Sequence, residues 1–163
     1  MKEIFRVFTQ SGTLRLLTKI EIAEQQLLHA IELFCSGDQI VCAITLAGAA
    51  EEILGKLVGR IGKTNSLEVE VKDQCEMFES FFGRPANPKV FRDLENNARN
   101  ELKHLCSTDS IELDLEQEAV NLIERAIINF QQLRPGPNLA FVKFDDKAAA
   151  WWRNRTKQFQ SRL

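Results

Sequence analysis

Residues 40–50 read Ile-Val-Cys-Ala-Ile-Thr-Leu-Ala-Gly-Ala-Ala, and this stretch decides the fold. Apart from Thr45, every position is apolar or small. A helix that lacks a polar face is buried all round, so the run predicts the central helix of a bundle. Ala43, Ala47 and Gly48 would let neighbouring backbones come close. The run is too short to span a bilayer. The N-terminus, with Lys2, Glu3 and Arg6 and no long apolar run behind them, does not read as a signal peptide.

Amphipathic segments flank this core run on both sides. Upstream, Thr18 and Glu21 have the spacing of a capping box, and Ile20, Ala23, Leu27, Ile31 and Phe34 recur as one helical stripe. Gly37 offers a stop, and Asp38 is placed to cap the central helix. A loop this short makes the first two helices antiparallel. Downstream, Gly55 to Gly62 predicts a loosening of the chain. Asn65 and Glu68 then cap a stripe of Leu67, Val71, Cys75, Phe78 and Phe82, which Gly83, Pro85 and Pro88 punctuate. Asn87 and Pro88 open a further helix carrying Phe91, Leu94, Ala98, Leu102 and Leu105. Residues 106–110 are polar and read as a loop. Asp114 and Gln117 cap the last stripe, Ala119, Leu122, Ile123, Ala126, Ile127, Phe130 and Leu133, ended by Arg134-Pro135-Gly136-Pro137.

The expected fold is therefore all-α: an antiparallel up-and-down bundle of about five helices over residues 1–137. A helical tail, residues 138–163, follows. There Phe141, Phe144, Trp151, Trp152 and Phe159 interleave with Lys147, Arg153, Arg155, Lys157 and Arg162. Basic residues interleaved with aromatics can stack bases and neutralise phosphates, but the expectation preferred over direct RNA binding is packing on the bundle or on a second subunit, with Trp151 and Trp152 as candidate interface anchors.

At 163 residues the chain can bury a core without a metal or disulfide. A net charge of −2 gives no whole-protein attraction to nucleic acid or to an acidic membrane, so binding of that kind needs a local patch. Cys35, Cys42, Cys75 and Cys106 form no Cys-x-x-Cys pair and read as reduced small hydrophobes, which suits a cytoplasmic location. With two histidines and scattered cysteines, neither a zinc site nor any other cofactor is expected.

The segment Arg99-Asn100-Glu101-Leu102-Lys103-His104 carries the best candidate chemistry. It resembles the Arg-x4–6-His motif of HEPN domains, small helical bundles common among bacterial RNase toxins and RNA-targeting defence proteins. Asn100 matches the polar residue usually found after the motif arginine. The resemblance covers roughly residues 18 to 133 and implies metal-independent RNA cleavage that leaves a 2′,3′-cyclic phosphate. His104 would act as general base or acid. Arg99 would hold the scissile phosphate, and Asn100 would position neighbouring groups. It also implies a homodimer, with RNA or a partner protein as ligand and no DNA or membrane. On one ideal helix Arg99 and His104 point about 140° apart. They meet only if the helix is distorted or ends before His104, or if two subunits share the site. Some HEPN toxins are silenced on a tyrosine two residues after the motif histidine. Here that position is Cys106 and the chain has no tyrosine, so that silencing is excluded.

Glu52 is a candidate supporting residue, because an acid from an earlier helix could tune His104 or orient Arg99. The plainer expectation is a solvated helix end, with Arg99 paired to Glu95. His29, beside the first stripe, reads as a half-buried packing residue. Two function classes follow: a HEPN-type endoribonuclease, and a catalytically silent HEPN-like module for protein binding or dimerisation.

Overall fold

The computed structural model describes residues 14–103 and 110–160. These form seven helices: α1 Lys19–Ser36, α2 Ile40–Arg60, α3 Ser66–Phe82, α4 Pro88–Glu95, α5 Asn97–Glu101, α6 Leu115–Leu133 and α7 Leu139–Gln160. Among the described residues there is no strand, and no helix is long and apolar enough to cross a membrane.

Local chemistry sets most of the boundaries. Thr18 Oγ1 accepts from the Glu21 N–H at 3.3 Å. Glu21 Oε2 accepts from the Thr18 N–H at 2.7 Å. The capping box thus closes in both directions. Asn65 accepts from Glu68 N, Asn87 from Lys89 N and Asp114 from Gln117 N. Gly37 takes φ +79°, and its N–H closes onto the Leu33 and Phe34 carbonyls. That left-handed conformation carries little penalty for a glycine.

The core lies where α2 packs between α1 and α6. Ala43, Ile44, Ala47, Ala50 and Leu54 of α2 meet Leu27, Ile31 and Phe34 of α1 and Leu122, Ile123 and Ala126 of α6. The tail joins this core: α7 buries Phe141, Phe144 and Ala148. The rings of Phe144 and Phe34 have centroids 5.6 Å apart. Phe141 meets Phe130 edge-on at 5.7 Å. Both separations fall in the range where aromatic pairs attract.

Four details differ from the sequence expectation. Gln39, not Asp38, is the N-cap of α2, in a left-handed conformation with no side-chain cap. Val41 and Cys42 are exposed, so the first turn of α2 is not buried all round. The glycines after residue 54 do not loosen the chain, and α2 runs on to Arg60. Gly55 instead admits a neighbour, since a Cβ there would stand 3.5 Å from Asn129 and 3.6 Å from Asn65. The expected fourth helix is two, α4 and α5, broken at Asn96.

That break has an identifiable cause. Arg125 of α6 has no solvent access. Its Nη1 donates to Glu95 Oε2 at 2.7 Å and to Glu70 Oε2 at 3.2 Å. Its Nη2 donates to the Glu95 carbonyl at 3.1 Å. In a continuous helix that carbonyl would serve the N–H of Arg99, four residues on. Asn96 Nδ2 also donates to the Arg92 carbonyl, at 2.9 Å. The Arg125 side chain thus occupies one acceptor of the ladder, while the Arg92 carbonyl still receives the Asn96 N–H, and a helix breaks where its ladder is interrupted in this way.

Replacing Arg125 with Met should cost about 3 kcal/mol in chemical denaturation, the low end for breaking a buried ion pair, because Glu70 keeps some water. Burial already raises the Glu70 carboxyl against the opposing Arg125 charge, so without Arg125 it holds its proton to still higher pH than in the unfolded chain. The deficit should therefore be larger at pH 7 than at pH 5. An equal deficit at both would contradict this account of the α4–α5 break.

Candidate functional site

The short helix α5 lies against the middle of α2, and the contact is made by Arg99. Its Nη1 stands 3.3 Å from Glu51 Oε2 and 3.9 Å from Glu52 Oε2. Lys103 Nζ approaches Glu52 Oε2 at 3.8 Å, so two acids of α2 face two bases at the C-terminal end of α5. The approach depends on Gly48. A Cβ there would stand 2.8 Å from Arg99 Cγ and 3.0 Å from Cδ, closer than side chains tolerate. Arg99 therefore lies over a glycine notch, with its side chain 14% exposed. Its Nε has no acceptor among the described residues.

The two glutamates sit in different environments. Glu51 is buried. Burial pushes its carboxyl above the usual carboxylate range, and the nearby Arg125 and Arg99 guanidiniums oppose this without cancelling it. Glu52 is half-exposed, and the hydrogen bond from Lys56 at 2.6 Å holds its carboxyl below that range, with Arg99 and Lys103 adding to the effect. Arg99 thus lies between an acid that burial makes easier to protonate and one that stays ionised.

Of the residues singled out from the sequence, the structure brings Arg99 and Glu52 together. Arg99 does not pair with Glu95, whose carboxylate is taken by Arg125. Glu52 is tied to Lys56 as well as facing Arg99 and Lys103, so it is more than a solvated helix end. Asn100 is exposed. His104 and Cys106 lie outside the described residues, and α5 ends at Glu101. His29 is exposed and faces Glu32 at 3.2 Å, so it is not a packing residue. Trp151 packs against the core and donates from Nε1 to Glu116 Oε2 at 2.9 Å, while Trp152 stays 45% exposed.

Three contributors were not singled out from the sequence: Glu51, Lys103 and Arg125. A signal existed for the last. Glu118, Arg125 and Asn129 recur at i, i+7 and i+11, which places them along one edge of the α6 apolar stripe. That edge is where α3 and α4 lie, and Arg125 and Asn129 are both fully buried there. Elsewhere, Met77, Phe78, Phe81 and Phe82 of α3 and Phe91 and Leu94 of α4 line an apolar cleft of about 320 Å³. Among the described residues, no group of three or more His, Cys, Asp or Glu side chains is arranged to hold a metal ion.

In comparisons with known proteins, no family model, curated protein or solved structure matches the chain.

The environment of Glu51 makes a prediction with a definite sign. Its carboxyl titrates higher in the folded chain than in the unfolded one, so carrying its charge lowers stability at neutral pH. That cost disappears once pH falls to the unfolded value near 4.5. Glu51→Gln keeps the shape and an acceptor for Arg99. The variant should melt above the wild type at pH 7, and the gap should close as pH falls towards 4.5. A melting temperature below wild type at pH 7 would show that the pair with Arg99 outweighs the burial cost.

Proposed function

We propose that this chain is a HEPN-like protein that acts on RNA, as a metal-independent endoribonuclease working through Arg99 and His104. The observation that carries the reading is the seating of Arg99. A guanidinium held over the Gly48 notch by a carboxylate from another helix, with its side chain still 14% exposed, is a cation positioned in advance for an anion. α5 ends at Glu101, and this reading takes His104, beyond that end, to turn back towards Arg99.

The chemistry is self-contained in RNA. The 2′-hydroxyl attacks the adjacent phosphorus, and its proton passes to a base. The P–O5′ bond breaks, and the 5′-oxygen takes up a proton. His104 is suited to both transfers, because imidazole changes charge near neutral pH. Arg99 would balance the charge that builds on the phosphoryl oxygens, and Glu51 and Glu52 would hold the guanidinium in place.

The test is cleavage of mixed single-stranded RNA in EDTA, with 2′,3′-cyclic phosphate ends as the product. His104→Ala should lower the rate by about 10²- to 10⁴-fold, the usual share of a general acid–base. Arg99→Ala should lower it by about 10²- to 10³-fold. Gly48→Ala adds a Cβ where Arg99 lies and should also slow cleavage. Gly59→Ala, where the added Cβ meets nothing within 4 Å, should not. No cleavage by the wild type, or full activity of Arg99→Ala, would remove the nuclease.

A second reading, a silent HEPN-like module that dimerises, is favoured by the α3–α4 face. Phe81 is 76% and Phe82 64% exposed, and Met77, Val90 and Leu94 are each more than half exposed. An apolar face this extensive marks an interface. The occupant this reading names is a second copy of the chain, whose own α3–α4 face is apolar in the same way. Sedimentation should then give a dimer that Phe81→Glu converts to monomer. A wild-type monomer at tens of micromolar would refute the dimer.

A further inference from the structure

We propose that the C-terminal half of α7 is a binding site for single-stranded RNA, with Trp152 and Phe159 as stacking platforms and Arg153 and Lys157 as phosphate contacts. That the strand is RNA rests on the reading above; the binding surface rests on its own observations.

The first observation is where the helix leaves the bundle. From Phe141 to Ala148 the inward residues of α7 are buried, but from Trp152 to Gln160 every residue except Arg155 is exposed. Trp152 and Phe159 lie seven residues apart, on one face and about 10 Å apart along the axis. Both are open, at 45% and 62% exposure. At about 3.4 Å per stacked nucleotide, that interval matches three nucleotides of a single strand. Every base has a face that can stack on such rings.

Charge supplies the second observation. Residues 151–160 carry Arg153, Arg155 and Lys157 and no acid, in a chain whose net charge is −2. Arg155 is engaged, paired with Asp114 and lying 5.1 Å over the Trp151 ring. Arg153 and Lys157 have no ion-pair partner among the described residues. They are four apart on a helix face about 130° round the axis from Trp152 and Phe159, so a strand must wrap the helix to reach both, and there like charges repel and weaken the helix. An anion bound between them relieves that repulsion.

The ligand must therefore be polyanionic and offer flat rings, which is the chemistry of single-stranded nucleic acid. A lipid surface fits less well. A helix lying in a membrane needs a broad apolar face, and here Asn154, Thr156, Gln158 and Gln160 leave only a narrow aromatic line. The fastening of α7 also suits a substrate arm. Trp151 to Glu116 and Arg155 to Asp114 hold it against the start of α6.

The chain's two tryptophans both lie on α7 and it has no tyrosine, so tryptophan emission reports on this helix, with Trp152 at the surface and Trp151 against the core. The full chain would be titrated with a short 2′-O-methyl RNA strand, whose blocked 2′-hydroxyl prevents cleavage by 2′-oxygen attack. Tryptophan emission should be quenched, and log affinity should fall with log salt by about 0.7 for each phosphate contact. Trp152→Ala, followed through Trp151, and Phe159→Ala, followed by the anisotropy of a labelled strand, should each weaken binding about tenfold. Arg153→Glu with Lys157→Glu should weaken it further and flatten the salt slope. Absence of quenching with the wild type, or wild-type affinity in both the aromatic and the charge variants, would overturn the proposal. So would a Trp152→Ala variant that binds RNA normally but loses self-association, which would make the face an interface between copies. Binding here without cleavage of ordinary RNA would remove the nuclease and leave this site standing. Cleavage with binding unchanged in these variants would do the reverse.

Discussion

A guanidinium shut away from water needs acceptors for its N–H groups, and the two terminal nitrogens of Arg125 find them on two other helices. Three donor contacts, to Glu70, to the Glu95 carboxylate and to the Glu95 carbonyl, tie α3 and α4 to α6. The remaining contacts along that edge are polar as well: Asn129 accepts from the Ser66 N–H, and Gln74 donates to Glu95. The α1–α2–α6 core would hold together on apolar burial alone. The α3–α4 pair has only Val71 fully buried among its large apolar residues. It is positioned by hydrogen-bonded charge, which fixes geometry more sharply than apolar contact because each bond has a direction.

The site follows from this constraint. Once Arg125 holds the Glu95 carbonyl, the helix that began at Pro88 cannot continue straight, and α5 starts again after Asn96. The restart presents Arg99 to α2, where Gly48 leaves room for its stem and Glu51 waits below. Glu51 also feels Arg125, whose charge lowers its carboxyl alongside that of Arg99. One buried cation therefore shapes the backbone that carries Arg99 and also tunes the carboxylate that holds it. The same arrangement leaves the outer sides of α3 and α4 apolar and uncovered, at Phe81, Phe82 and Leu94.

Signals confined to one helix were legible in the sequence. Thr18 with Glu21, Asn65, Asn87 and Asp114 start helices where their side chains predict, because a cap is chemistry within one turn. The apolar stripe of α6 was also readable, as was the small-residue run of α2 as the centre of the bundle. What failed came from partners distant in sequence. Nothing near Asn96 announces a break, since the group that takes the Glu95 carbonyl lies thirty residues on. Gly55 looked like a loosening and is a close approach, which only the position of Asn129 reveals. The motif arginine was found, but its true partner was misjudged. Glu95 is its local i−4 neighbour, and Glu51 reaches it only through the packing of α5 on α2.

Joining these parts into a function depends on one pairing, that of Arg99 with His104 around a phosphate. The chain's two histidines, His29 and His104, make that pairing accessible to NMR of the imidazole rings. His29 is exposed on α1 and serves as the internal reference. The decisive measurement follows both rings, together with the Arg99 Nε–H, while a 2′-O-methyl RNA strand is added. The account predicts that the His104 and Arg99 signals move together at one affinity while His29 stays still. Movement of neither, or of Arg99 without His104, would contradict it.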